Sequence, residues 1–231
     1  MIEAARYAIY YMPATTSPLW TFGCRVLGYD AATASDVAHP YDALAAVATP
    51  RAFIEPSVYG FHATLKAPFS LVDGATEDTL VAAAIDYAAG ERSFDIGHLQ
   101  VAPLQRFVAL TPFRRSDPLH RLADDCVRAF EPFRAPLTAA DQARRLAAPL
   151  SPAQAAHLDH WGYPYVFEQF QFHMTLSGPL APEVIGTLQK VLAELYAPID
   201  TNLTIDGLAV FKQDKRTERF RVLTRIVFGL I

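Results

Sequence analysis

Two cysteines in 231 residues, Cys24 and Cys126, are too few for a disulfide scaffold and too far apart for a metal knuckle. Lysine is scarce too. It stands only at 66, 190, 212 and 215, so 16 of the 20 cations are arginine. Excess positive charge is absent: 20 − 24 = −4, which argues against a protein that simply coats nucleic acid. No apolar run reaches the roughly 18–20 residues needed to cross a bilayer. The start, M-I-E-A-A-R-Y, carries an early acid and no small-residue cleavage site after a greasy stretch, so no signal peptide is expected. The expectation is a soluble, reduced, cytoplasmic protein with no membrane contact. Apolar side chains are plentiful. At 52 % hydrophobic and 19 % charged residues, a sizeable core is expected and wholesale disorder excluded.

Punctuation along the chain predicts alternating strands and helices. Arg6–Met12 is dense in aromatic and aliphatic residues and stops at Pro13, as a strand would. An Ala-rich run, Tyr41–Ala48, predicts a short helix. Tyr59–Phe69 reads as a second strand. Thr76-Glu77-Asp78 offers an N-cap and first-turn acids for a helix over Leu80–Ala89, closed by Gly90. Phe94–Val101 and Arg106–Thr111 predict a strand pair, and Asp117-Pro118 opens a helix to about Phe130. Residues 131–160 hold Pro132, Pro136, Pro149 and Pro152 among alanines and arginines and read as an insertion. Order returns with a strand at Phe170–Leu176, a helix at Pro182–Tyr196, and strands at Asn202–Phe211 and Arg219–Phe228.

Strand, helix, strand, strand therefore occurs twice. F-H-A-T-L-K-A-P-F at 61–69 and F-H-M-T-L-S-G-P-L at 172–180 agree at five of nine positions, at an offset of 173 − 62 = 111. Each is followed by a helix and a similar strand, D-I-G-H-L-Q-V at 95–101 against T-I-D-G-L-A-V at 204–210. The next pair is R-F-V-A-L at 106–110 against R-F-R-V-L at 219–223. An internal duplication with an insertion accounts for this. The expected organisation is a single domain, 1–231, of two lobes: about 1–115 with His62, an insert at about 116–160, and about 161–231 with His173.

Residues i, i+2 and i+4 of a strand share a face. His62, Thr64 and Lys66 are thus expected together, as are His173, Thr175 and Ser177. Two lobes related by a pseudo-two-fold axis would bring these faces together across a cleft. Breaking a phosphodiester needs a base for the attacking oxygen and an acid for the leaving one. Imidazole suits both, because its ordinary pKa of about 6.5 permits one neutral and one protonated ring near pH 7. Threonine hydroxyls can donate to the non-bridging oxygens. Such a scheme requires no metal or other cofactor. Either histidine alone would read as a satisfied polar group at a sheet edge; the pairing and the shared threonine change that reading.

His62-Ala63-Thr64 and His173-Met174-Thr175, on paired strands of a duplicated unit, resemble the two-histidine (2H) phosphoesterase superfamily. That superfamily includes RNA ligase-like cyclic phosphodiesterases and the exonuclease that trims spliceosomal RNA ends. With W-G-Y-P-Y-V, the flanking text is closer still to a bacterial branch encoded in phosphonate-utilisation operons. The resemblance implies an α+β fold around a central cleft, with His62 and His173 as the acid–base pair and Thr64 and Thr175 as phosphate-binding hydroxyls. It also implies a phosphoric diester hydrolase acting on a small sugar or nucleotide cyclic phosphate, such as a ribosyl cyclic phosphate from phosphonate breakdown. Lys66 and Ser177 are added from periodicity. Tyr11, Tyr59 and Tyr163 are candidate substrate walls.

Two other readings stand beside it. An RNA-processing 2H enzyme would use the six cations between Lys212 and Arg225 as its electrostatic footprint; against it, those cations also suit a solvated hairpin of cross-strand pairs. A non-catalytic nucleotide-phosphate binder would use the same cleft without turnover. His157 and His160, spaced i, i+3 with only Asp159 nearby, make a poor zinc site; His39, His98 and His120 stand alone.

Overall fold

A computed structural model describes residues 4–38, 42–146 and 149–229. The first half runs β1 (Arg6–Tyr11), α1 (Pro18–Leu27), a small hairpin of β2 (Tyr29–Asp30) and β3 (Ser35–Asp36), α2 (Asp42–Ala45), α3 (Arg51–Ser57), β4 (Ala63–Phe69), α4 (Glu77–Gly90), β5 (Phe94–Asp95), β6 (Leu99–Leu104), β7 (Phe107–Pro112) and α5 (Asp117–Ala129). The second runs α6 (Ala139–Arg145), α7 (Pro152–Trp161), β8 (Met174–Thr175), α8 (Pro182–Tyr196), β9 (Thr204–Ile205), β10 (Gly207–Gln213) and β11 (Arg221–Val227). Of the helix predicted over 41–48, Asp42–Ala45 is helical; Tyr41 and His39 lie outside the described residues. The 131–160 stretch, expected as an irregular insert, forms α6 and α7, each N-capped by a hydroxyl, Thr138 and Ser151.

Seven strands form one antiparallel sheet in the order β11-β10-β1-β4-β8-β7-β6. Helix α4 packs on β10 and β11, α5 on β4, and α8 on β6 and β7. The helices reach the sheet with apolar residues one turn apart: Leu80, Ala84 and Ala88 on α4, Leu188, Leu192 and Tyr196 on α8. Each leucine buried this way contributes about 1.5–3 kcal/mol.

At the middle of the sheet β4 and β8 meet through one pair, Ala63 opposite Met174. These two residues are repeat equivalents, 111 apart. Asp95 opposite Thr204, in the β5–β9 ladder, likewise joins the two residues that the repeats align. An antiparallel pair in which a residue faces its own counterpart lies on a local two-fold axis. The architecture is α+β with pseudo-two-fold symmetry.

The lobes differ from those expected. Strands β6 and β7 lie beside β8, on the His173 side, whereas β10 and β11 lie beyond β1, on the His62 side. Contiguous lobes at 1–115 and 161–231 are therefore incorrect; each half of the sheet takes strands from both halves of the chain. The axis superposes β10 on β6 and β1 on β7, leaving β11 as an extra edge strand. Each repeat runs strand (β1 or β7), a helical segment, strand (β4 or β8), helix (α4 or α8) and strand (β6 or β10), and the likeness of 106–110 to 219–223 is not a structural equivalence. The physical cause is the connection after α4 and α8: each helix leads its next strand across the sheet rather than back beside its own.

Candidate active site

The Ala63–Met174 pair places the two motifs in register. Extending that register sets His62 opposite Thr175 and Thr64 opposite His173, all on one face. The two histidines become diagonal neighbours, for which Cβ separations of about 7–8 Å are usual. Both rings, both threonines, Tyr59 and Tyr163 line one cavity of about 320 Å³.

The rings are held alike. His62 Nδ1 donates to the Gly60 carbonyl at 2.9 Å and His173 Nδ1 to the Gln171 carbonyl at 2.8 Å, each two residues upstream. A carbonyl can only accept, so Nδ1 carries the proton and Nε2 presents a lone pair. Gly60 adopts φ +72°, and a Cβ there would meet the Ala31 Cβ at 2.7 Å, so glycine alone suits the turn that aims this carbonyl. His62 Nε2 lies 3.3 Å from Thr64 Oγ1, and its ring stacks on Tyr10 at 3.7 Å and 17°. Burial lowers the His62 pKa to about 4, with His173 adding to the shift and Gly60 opposing it. Burial also lowers that of His173, against the bond to Gln171. Both rings are therefore neutral in the unliganded cleft near pH 7.

Three expected residues lie elsewhere. Lys66 is buried, bonding the Val127 carbonyl and Glu131 at 2.8 Å each. Ser177 is buried; its hydroxyl accepts from the Val108 N–H at 3.0 Å and donates to the Gly178 carbonyl at 3.1 Å. One cause serves both. Tyr10 pairs with Thr64 but Ile9 with Lys66, so Leu65 is an extra residue that turns Lys66 to the opposite face. In the second copy, Leu176 and Ser177 both donate to the Val108 carbonyl, a bulge at the equivalent position, 65 + 111 = 176. Tyr11 is also buried, its hydroxyl on the Thr204 carbonyl at 3.3 Å. It pairs with Ala63 on the side away from the cleft, and Tyr10 takes the place expected of it.

Four arginines complete the cavity: Arg6, Arg144, Arg145 and Arg216, with Asp141 among them. Arg6 is positioned by Gln213, at 2.8 Å through Nε and again through Nη2. Arg216 Nη2 donates to both carboxylate oxygens of Asp141, at 2.6 and 2.7 Å. Arg145 lies 5.0 Å over the Tyr163 ring. Arg6 and Tyr10 were legible as one face of β1. Nothing in the alanine-rich text of α6 marked Asp141, Arg144 or Arg145.

The cations that an RNA-processing enzyme would use as its footprint are dispersed into ion pairs, as a hairpin of paired charges would have them. Lys212 pairs with Glu77 and Asp214, Lys215 with Glu218, Arg219 with Asp36, Arg221 with Asp214, and Arg225 with Asp206. Of those six cations, Arg216 is the one that lines the cavity. Among the described residues, no three His, Cys, Asp or Glu side chains cluster at metal-ligating range; His157 instead bonds Glu168 at 2.7 Å. No helix among them is long and apolar enough to cross a membrane.

Residues 64–221 match the model of a family described as "Protein of unknown function (DUF1045)". The chain belongs to this family. It is 34 % identical over 97 % of its length to "Ribose 1,5-bisphosphate phosphokinase PhnN" of Janthinobacterium sp. (strain Marseille), and 35 % identical over 98 % to the protein of that name in Laribacter hongkongensis (strain HLHK9). The chain spans about half of each relative, 51 % and 52 %. Among solved structures it aligns with E. coli LigT complexed with 3'-AMP (14 % identity, 99 % and 100 % of the two chains, TM-score 0.45) and with a protein of Thermus thermophilus (14 %, 97 % and 98 %, TM-score 0.46).

Proposed function

We propose that the protein is a phosphodiesterase that opens a small cyclic phosphate by histidine acid–base catalysis. The observation that carries this is the pair of Nδ1-anchored imidazoles, one on each side of the local two-fold axis, with their Nε2 atoms directed at a shared cavity. A phosphate centred on that axis has a ring on each side, as in-line displacement requires. One neutral imidazole takes a proton from water as its oxygen bonds phosphorus; the other, protonated, gives a proton to the departing sugar oxygen. Thr64 and Thr175 donate to the non-bridging oxygens. Nothing in this scheme calls for a metal ion.

The difference in their surroundings supports a division of roles. His62, stacked under Tyr10 with its pKa near 4, is the base. His173, whose nearest described ring is Phe107 at 5.7 Å, is the acid, charged when the anionic substrate arrives.

The relatives' names concern a ribose phosphate, which supports a ribosyl cyclic phosphate as substrate. None of the four lysines follows a glycine, so the chain has no glycine-rich phosphate loop ending in Gly-Lys. The phosphokinase activity in those names is therefore not assigned to this chain. A second substrate, a nucleoside cyclic phosphate, is favoured by one feature: past His173 the cleft opens into a pocket of about 190 Å³ lined by Phe107, Tyr165, Phe167 and Phe170, room for a base to stack.

The test is a panel of ribosyl 1,2-cyclic and nucleoside 2′,3′-cyclic phosphates with detection of the phosphomonoester formed, with and without EDTA. Turnover that survives chelation supports the reading. Tight binding with no turnover of any member would make the protein a binder. A strong preference for an oligonucleotide ending in the same group, lost between 50 and 200 mM salt, would make it an RNA enzyme.

A further inference from the structure

We propose that the cleft contains a second anion subsite, in which Arg6, Arg144, Arg145 and Arg216 hold a terminal phosphate monoester carried by the same small substrate. The inference rests on the two-histidine reading and deepens it by naming the substrate class: a sugar cyclic phosphodiester that bears a separate phosphate.

Charge is the first argument. The cavity lining holds four guanidiniums and one carboxylate, 4 − 1 = +3, in a protein whose net charge is −4. A cyclic phosphodiester carries one negative charge, which the threonines and a protonated histidine already meet. A phosphomonoester adds about −1.5 to −2 at pH 7. With the diester already met, the monoester offsets about half to two-thirds of the +3 at the arginine cluster; a diester alone leaves that charge unmet.

Position is the second. Tyr10, under His62, and Arg6 lie on one face of β1, four residues and about 13 Å of strand apart. Arg6 and Arg216 therefore stand beyond the histidines along the strand. A guanidinium reaching back several ångströms meets a phosphate one sugar away from the reacting phosphorus, too far to touch that phosphorus itself.

Preorganisation is the third. Arg6, Arg145 and Arg216 are partly buried, and the exposed Arg144 is tied to Asp141. Gln213 fixes Arg6, Asp141 draws in Arg144 and Arg216 at 2.5 and 2.6 Å, and Tyr163 supports Arg145. Burial and the neighbouring Arg216 disfavour the charge on Arg6, and burial disfavours that on Arg145, so a bound dianion relieves both. Arginine's planar fork suits phosphate where lysine's single charge does not orient it.

The experiment has two arms. In the first, kcat/KM is compared for ribosyl 1,2-cyclic phosphate with and without a 5-phosphate, in the wild type and in Arg145→Gln and Arg6→Gln, with melting temperature as a check on folding. The phosphorylated form should be preferred by roughly 10–100-fold, and either substitution should shrink that ratio about tenfold. In the second, calorimetry follows ribose 5-phosphate, against ribose, binding to the His62→Asn/His173→Asn protein, which tests the subsite without chemistry. Binding of ribose 5-phosphate that weakens in the arginine variants supports the subsite even if no cyclic phosphate is hydrolysed, the outcome that defeats the enzymatic reading alone. Equal kcat/KM for both cyclic phosphates, with no binding of ribose 5-phosphate, overturns the subsite and leaves the enzymatic reading standing.

Discussion

His62 lies under a tyrosine and His173 does not, although both follow the same local plan. Each sits two residues after the carbonyl that fixes its tautomer, two before a threonine on the cleft face, and three before a bulge. The difference comes from the strand alongside. Thr64 pairs with Tyr10 on β1, whereas Thr175 pairs with Ala109 on β7. A ring as wide as tyrosine encloses His62; a methyl leaves His173 beside the aromatic pocket. The two imidazoles are repeat equivalents, and what differs beside them is the residue on the neighbouring strand, Tyr10 for His62 and Ala109 for His173. In the proposed mechanism this difference would let one ring take a proton and the other give one.

The largest effect should come from removing either ring. His62→Ala and His173→Ala should each lower kcat by about 10²–10⁴, and the double variant little further, because the two act as a unit. The comparison sharpens with a p-nitrophenyl phosphodiester, whose leaving group needs no proton. His173→Ala should recover most of its activity on that substrate and His62→Ala should not. The opposite pattern would reverse the assignment of base and acid.

Stability against pH should separate the rings next. With a folded pKa near 4 against about 6.5 unfolded, His62 binds fewer protons folded than unfolded between those values. Its contribution is whole above about pH 6.5 and is lost as pH falls towards 4, at most about 3 kcal/mol. Denaturant melts at pH 7 and pH 4.5 should show that loss in the wild type and less of it in His62→Gln. An equal loss in His62→Gln would place the acid sensitivity elsewhere.

The smallest effects belong to the next pair of repeat equivalents, Lys66 and Ser177. Lys66→Met should cost about 2 kcal/mol, less than a fully orphaned ion because Glu131 keeps Arg134. Ser177→Ala should cost about 1–2 kcal/mol through the unpaired Val108 N–H. With both positions outside the cleft, kcat/KM should stay within about twofold of wild type while the melting temperature falls. A tenfold loss of kcat/KM in either would return that residue to the site.

What the sequence determined by itself is local. Strand and helix periodicity, the Thr76 cap, the proline starts of α5 and α8, and the paired H-x-T texts are each written within a few consecutive residues. So is the sharing of a face by His and Thr two apart, because backbone pleat alone enforces it. Tertiary structure decided the rest. The bulges at Leu65 and Leu176 depend on what the neighbouring strand offers, so counting by twos carried Lys66 and Ser177 into the cleft in error. Tyr10 rather than Tyr11 meets His62 because register across β1 and β4, not composition, selects the face. The arginines of α6 and the hairpin reach the site from positions 144 − 62 = 82 and more residues away from the first motif. No local rule links such distant segments; only burial of the sheet's helical face and the crossing connections that follow bring them to one cavity.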